Sequence, residues 1–98
     1  MAHRLAPEAE ADLDAIWYYV ARESGDAAIA DHLIDALAER FALLARFPQL
    51  GRRRDDLRPG VRSFPVGEYL ILYRMEEADV LVLHVTHGHR DIEALFRQ

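Results

Sequence analysis

The residue types best suited to proton or metal chemistry gather near the C-terminal end, where His84, His87 and His89 precede Arg90 and Asp91. On a strand, residues two apart share a face, so His87 and His89 are expected to point the same way. Catalytic zinc needs three protein ligands and structural zinc four. The chain has no cysteine, and this histidine spacing matches no common zinc pattern, so no metal site or other cofactor is expected. The run His87-Gly88-His89-Arg90-Asp91 also holds the types needed for general acid–base work. It has a plainer reading: Gly88 permits a tight turn, and Asp91 can cap a short final helix. No G-x-S-x-G, P-loop or H-E-x-x-H pattern occurs, and the glycines at 51, 60, 67 and 88 are isolated. No catalytic residue is therefore assigned from the motifs.

The elements that must position these side chains are legible from periodicity. His3–Ala6 forms a short extended start. Pro7 suits a first helical turn, where its missing N–H would have no partner anyway. Glu8, Glu10, Asp12 and Asp14 then crowd the positive end of a helix dipole. Leu13, Ile16, Trp17, Val20 and Ala21 recur at the spacing of one buried helical stripe, with Tyr18 turned outward. Ser24-Gly25 ends this helix and Asp26 is the N-cap expected for the next. The second stripe comprises Ala30, Leu33, Ile34, Leu37, Phe41 and Leu44, with Asp31, Asp35, Glu39 and Arg46 outside, until Pro48 stops the helix. Two long helices joined by so short a connection should form an antiparallel hairpin.

Gln49 to Gly60 reads as an exposed loop or a frayed helical turn. Thereafter the period shortens to that of strands: Val61–Val66, Tyr69–Met75 and Val80–Thr86, separated by connections of hairpin length. Pro65 cannot donate to a ladder, which places the first of the three at an edge or a bulge. The other two are apolar on both faces, which places one face under the helices and leaves the other partly covered, with a partner as one candidate cover. The expected fold is α+β, in the order β-α-α-β-β-β: a helical hairpin on an antiparallel meander sheet, closed by a short C-terminal helix. A length of 98 residues supports one domain spanning the chain.

Net charge is −5, unevenly spread. Residues 1–39 hold two Arg against nine acids, residues 40–62 seven Arg against two acids, and residues 63–98 three Arg against six acids. An acidic chain with one basic block is poorly suited to sequence-independent nucleic-acid binding, where many phosphates must be neutralised. The block can still grip a single anionic patch. Every cation is Arg, a residue suited to bidentate pairing with carboxylates. The acids at 8–14 leave no room for the apolar core of a signal peptide, and no apolar run approaches membrane-spanning length, so a cytoplasmic location is expected.

Five segments in register resemble one family. They are Leu5–Leu13 with Ile16-Trp17, Phe47-Pro48-Gln49-Leu50-Gly51-Arg52, Leu57–Val66, Tyr69–Arg74, and His87-Gly88-His89-Arg90-Asp91. Their order and spacing are similar to the ParE branch of the RelE/ParE toxin superfamily, also called plasmid stabilisation proteins. The resemblance covers nearly the whole chain and implies the fold derived above. It also implies a toxin neutralised by a ParD-like antitoxin and directed at DNA gyrase, so that replication stalls. RelE-like relatives instead cleave mRNA on the ribosome, with basic residues on the sheet and an acid–base residue near the C-terminus. Here Leu70 stands where that branch places Arg, and Phe96 about where it places Tyr. Phenylalanine cannot exchange a proton. His87 or His89 as base, with Arg90 as phosphate clamp, is what remains for an endoribonuclease.

Binding without catalysis is accordingly the first expectation, and the RelE-type mRNA interferase the alternative. An antitoxin segment is expected in a groove built by Leu13, Trp17, Phe41 and Leu44, held by helix-in-groove or strand-addition contacts. Target contacts are expected from Arg58, Arg62, Arg74, His87 and Arg90. A homodimer, or a hetero-oligomer with the antitoxin, is compatible with such surfaces.

Overall fold

A computed structural model describes residues 2–88 and 90–97. Strand β1 (His3–Leu5) leads into helix α1 (Pro7–Ser24), which hairpins onto α2 (Ala27–Arg46). The sheet continues with β2 (Arg52–Arg53), β3 (Arg62–Val66), β4 (Tyr69–Glu76) and β5 (Asp79–His87), and a 3-10 turn spans Glu93–Phe96. The strands lie in the order β1-β5-β4-β3-β2.

The helix ends obey the local chemistry of the sequence. Pro7 occupies the first turn of α1, and Gly25 closes the helix at φ 70°, its N–H bonded to the Ala21 carbonyl. Asp26 caps α2, its side chain accepting from the Ala28 N–H at 2.9 Å. Leu37, Phe41 and Leu44 of α2 pack with Ala9 of α1 against Ile71, Tyr73, Val80, Val82 and Val85 of the sheet. Leu13, Ile16, Leu33 and Ile34 are only partly buried beside this cluster, so the stripe of α1 forms a flank of the core rather than its centre. Leu72 and Thr86 are also buried although they stand outside that cluster. On β5, Thr86 follows the core residue Val85, and alternation turns it to the opposite face. The C-terminal turn folds back there, with the Phe96 ring edge-on to His84 at 5.8 Å.

The expected meander is present as the antiparallel run β3-β4-β5, and two features extend the sheet beyond it. β1 pairs with β5 in parallel, in the register His3↔Val80 to Leu5↔Val82, so the sheet is mixed. The chain leaves β1 through two helices rather than a tight turn, and nothing then forces an antiparallel partner. Within the expected loop, Arg52 and Arg53 form β2 by pairing with Ser63 and Arg62. Two arginines carry no strand periodicity, and the edge of β3 creates this strand. Pro65 sits beyond the end of β2, where the outer side of β3 carries no ladder. The irregularity lies elsewhere: Leu72 pairs with His84 and Tyr73 with Val82, leaving Leu83 as an extra residue on β5.

Candidate functional site

Leu13 and Trp17 are half-buried on α1 and, with Ile34 of α2, line an open cavity of about 410 Å³ whose rim carries Glu10 and Asp14. Trp17 is oriented across the hairpin, its indole Nε1 donating to Asp31 Oδ1 at 2.8 Å. Tyr18 and Tyr19 are exposed beside it, at 60% and 62%. Arg22 stacks over the Tyr18 ring at 5.8 Å, which holds that aromatic on the surface. Phe41 and Leu44 are placed differently from the groove expected of them. They are interior residues, 2% and 0% exposed, and Phe41 meets the His3 ring of β1 at 5.8 Å. The helical stripes are apolar, but among the described residues of the cavity wall only Leu13 and Trp17 of α1 and Ile34 of α2 reach this open surface.

The five residues expected at the target surface fall into three places. His87 and Arg90 line a cleft of about 320 Å³ with Asp12, Ile16, Tyr19 and Tyr69. There His87 Nε2 lies 3.8 Å from Glu68 Oε2, and the Tyr69 ring stands edge-on to the imidazole at 5.7 Å. Burial, then the Glu68 carboxylate and the neighbouring Tyr19 phenol, pushes the Tyr69 phenol above its ordinary range. Arg58 and Arg74 share a smaller polar cleft of about 180 Å³ with Glu8, His84 and Phe96. Both are engaged: Arg58 donates to the Phe96 carbonyl at 3.1 Å and lies over its ring, and Arg74 donates to Glu76 at 2.6 Å. Arg62 is apart from both, its Nη1 donating to the Gly51 carbonyl at 2.9 Å. The expected pairing of His87 with His89 lies outside the described residues.

Two arrangements, one partly buried and one in the interior, escaped sequence reasoning. Asp12, read there only as an acid at a helix N-terminus, accepts through Oδ2 from the Val85 N–H at 3.0 Å and contacts His84 Nδ1 at 3.1 Å. It thereby fastens α1 to the part of β5 that β1 does not reach. The Tyr73 hydroxyl accepts from the Gly51 N–H at 2.8 Å and donates to the Pro48 carbonyl at 2.7 Å, pinning the turn that follows α2. No local pattern announces either contact, because each joins segments far apart in the chain. Among the described residues, no group of three or more His, Asp or Glu side chains is placed to hold a metal ion. No helix of the described residues is long and apolar enough to cross a membrane.

Residues 4–92 match the family described as the ParE toxin of the type II toxin–antitoxin system parDE. The chain is 36% identical to Toxin ParE3 of Caulobacter vibrioides over 85% of its own length and 82% of that protein. It is 32% identical to Toxin ParE1 of the same organism over 94% of both, and 30% identical to Toxin ParE1 of Mycobacterium tuberculosis over 91% of both. Its fold is similar to that of a chain from the chromosomal ParDE system of P. aeruginosa, with a TM-score of 0.77 at 22% identity, over 89% of this chain and 95% of the other.

Proposed function

Because the chain belongs to the ParE toxin family of type II toxin–antitoxin systems, we propose that it acts by docking onto proteins: a ParD-like antitoxin neutralises it, and DNA gyrase is its target. The observation that carries the docking mechanism is the open cavity at Leu13, Trp17 and Ile34, flanked by exposed Tyr18 and Tyr19. Large aromatics at the edge of an apolar surface supply much binding area for little lost freedom, and such residues dominate interface energetics. An amphipathic antitoxin helix laid in that cavity would bury Trp17 and Leu13 at its centre. The arginines of the second candidate set suit carboxylate-bearing target surfaces through their planar, multi-donor heads, with Arg58 and Arg74 keeping or exchanging their bonds to Phe96 and Glu76 on docking. The setting is the cytoplasm, where antitoxin and gyrase are both found.

The experiment is direct. Purified protein added to gyrase should inhibit supercoiling, while mRNA in a defined translation mixture stays intact. Trp17→Ala should weaken antitoxin binding by roughly thirty-fold, the equivalent of about 2 kcal/mol for a central aromatic anchor. Cleaved mRNA together with unaffected gyrase would overturn the proposal.

One observation favours a second reading, ribosome-dependent mRNA cleavage: His87, Arg90 and Asp12 line a single cleft. In that case His87→Ala abolishes toxicity while antitoxin binding survives. Full toxicity of the variant removes this reading.

A further inference from the structure

Among the described residues six large apolar side chains are exposed, and they divide into two groups: Tyr18, Tyr19 and Ile29 on the helical hairpin, and Phe47, Leu50 and Met75 elsewhere. The second group lines one cleft of about 690 Å³, shared with Arg46, Pro48, Gln49 and Arg62. None of these residues lines the Leu13–Trp17 cavity. Phe47 is 51% exposed, Leu50 50% and Met75 42%, so apolar surface is held open to water around a concave site. The floor is preformed, since the Tyr73 hydroxyl clamps Pro48 and Gly51 on either side of Leu50.

The electrostatics of the cleft are one-sided. Among the described residues no carboxylate lines it, and both cations that do are Arg. Arg46 lies over the Phe47 ring at 5.4 Å, and Arg62 spends only Nη1 on its backbone partners. The two acids of the surrounding basic block are bonded to other arginines, Asp55 to Arg53 and Asp56 to Arg54, with Arg62 feeling the Asp55 charge only from outside the cleft lining. Glu76, next to Met75 in the chain, is held by Arg74 and Arg4. The adjoining backbone is also open: β3 pairs with β4 only from Val66↔Tyr69 to Arg62↔Tyr73, so Arg74–Glu76 have no ladder partner on that side.

We propose that this cleft receives an extended, acidic segment of a partner protein, which seats an apolar side chain among Phe47, Leu50 and Met75 and sets its carboxylates against Arg46 and Arg62. Three features select that occupant. Apolar walls call for an anchor, two guanidinium groups with no carboxylate lining the cleft beside them call for carboxylates, and a strand edge without a ladder partner calls for an extended backbone. A second copy of this chain fits less well, because its most acid-rich stretch, residues 1–39, is almost wholly helical, and the acidic residues of 63–87 lie on strands already paired within the sheet or in their hairpin turns. The proposal adds a second protein contact to the antitoxin surface, and it stands whether or not gyrase is the target.

The test uses isotope-labelled full-length protein titrated with a short synthetic peptide alternating Glu with Leu and Phe. Two controls carry Lys for Glu, or Ser for the apolar positions. Saturable amide shifts are expected at Phe47–Leu50, Arg62 and Arg74–Glu76, with binding that weakens as salt rises and is absent for both controls. Leu50→Ser should weaken the acidic peptide about ten-fold or more. Arg46→Glu, at an exposed helix end that leaves folding intact, should weaken it and admit the Lys peptide. Equal binding of the Lys peptide, shifts confined to other surfaces, or no saturable shifts would overturn the proposal. So would concentration-dependent self-association through the same amides, which would assign the cleft to a second copy.

Discussion

Gly51 is the position where a single methyl group should do most damage. A Cβ built there would lie 2.4 Å from the Tyr73 hydroxyl oxygen, 2.7 Å from its ring and 2.9 Å from the Ser63 carbonyl. The hydroxyl can retreat only by abandoning its bonds to Gly51 and Pro48, and the carbonyl belongs to β3 and cannot yield like a side chain. Overpacking of this kind costs about 1–3 kcal/mol. Losing a hydrogen bond to a buried N–H adds about 1 kcal/mol, so Gly51→Ala should destabilise the fold by roughly 2–4 kcal/mol. Tyr73→Phe removes the hydroxyl without adding bulk, and by leaving the Gly51 N–H unpaired it should cost about 1–3 kcal/mol. Since the alanine already displaces the hydroxyl, the double variant should lose less than the two singles together, by roughly 1 kcal/mol. Urea unfolding monitored by circular dichroism reads these differences as midpoint shifts at constant slope. In a domain of this size the Gly51→Ala change corresponds to a fall in Tm on the order of 10–25 °C. A Gly51→Ala protein within about 0.5 kcal/mol of the parent, or strict additivity in the double variant, would refute the clamp.

Asp12→Ala should cost about 1–3 kcal/mol in the same unfolding assay, because the Val85 N–H loses its acceptor, whereas Asp12→Asn keeps an oxygen there and should cost clearly less. Thr86 is 4% exposed and its hydroxyl has no partner among the described residues, so the isosteric Thr86→Val should stabilise by about 1 kcal/mol; destabilisation instead would mean that the hydroxyl is bonded in solution. The Gly60 N–H and then Arg53 hold the Asp55 carboxyl below its ordinary 3.8, and Arg54 does the same for Asp56. A depressed carboxylate stabilises the fold above the ordinary value, and that contribution disappears as pH falls through the lowered one. Amide exchange at Gly60 should therefore stay slow near neutrality and quicken, relative to its intrinsic rate, in an acid titration below about pH 4. Unchanged protection down to about pH 2 would contradict this.

Most of the scaffold was determined by local pattern. Pro7, Gly25, Asp26 and Pro48 mark the helix ends through their own backbone chemistry, and the change from a 3.6-residue to a two-residue period separates hairpin from sheet. The ParE-like order of segments was legible for the same reason, because motif spacing is a property of the chain. Only the tertiary structure decided what depends on distant neighbours. It set β1 parallel to β5, raised Arg52–Arg53 into a strand, and drew Phe41 and Leu44 inside while leaving Leu13 and Trp17 at the surface. It also dispersed five candidate target residues over three surfaces and joined Asp12 to Val85 and Gly51 to Tyr73. Periodicity states which face of an element is apolar. How much of that face meets water is set by what packs against it, and that neighbour comes from another part of the chain.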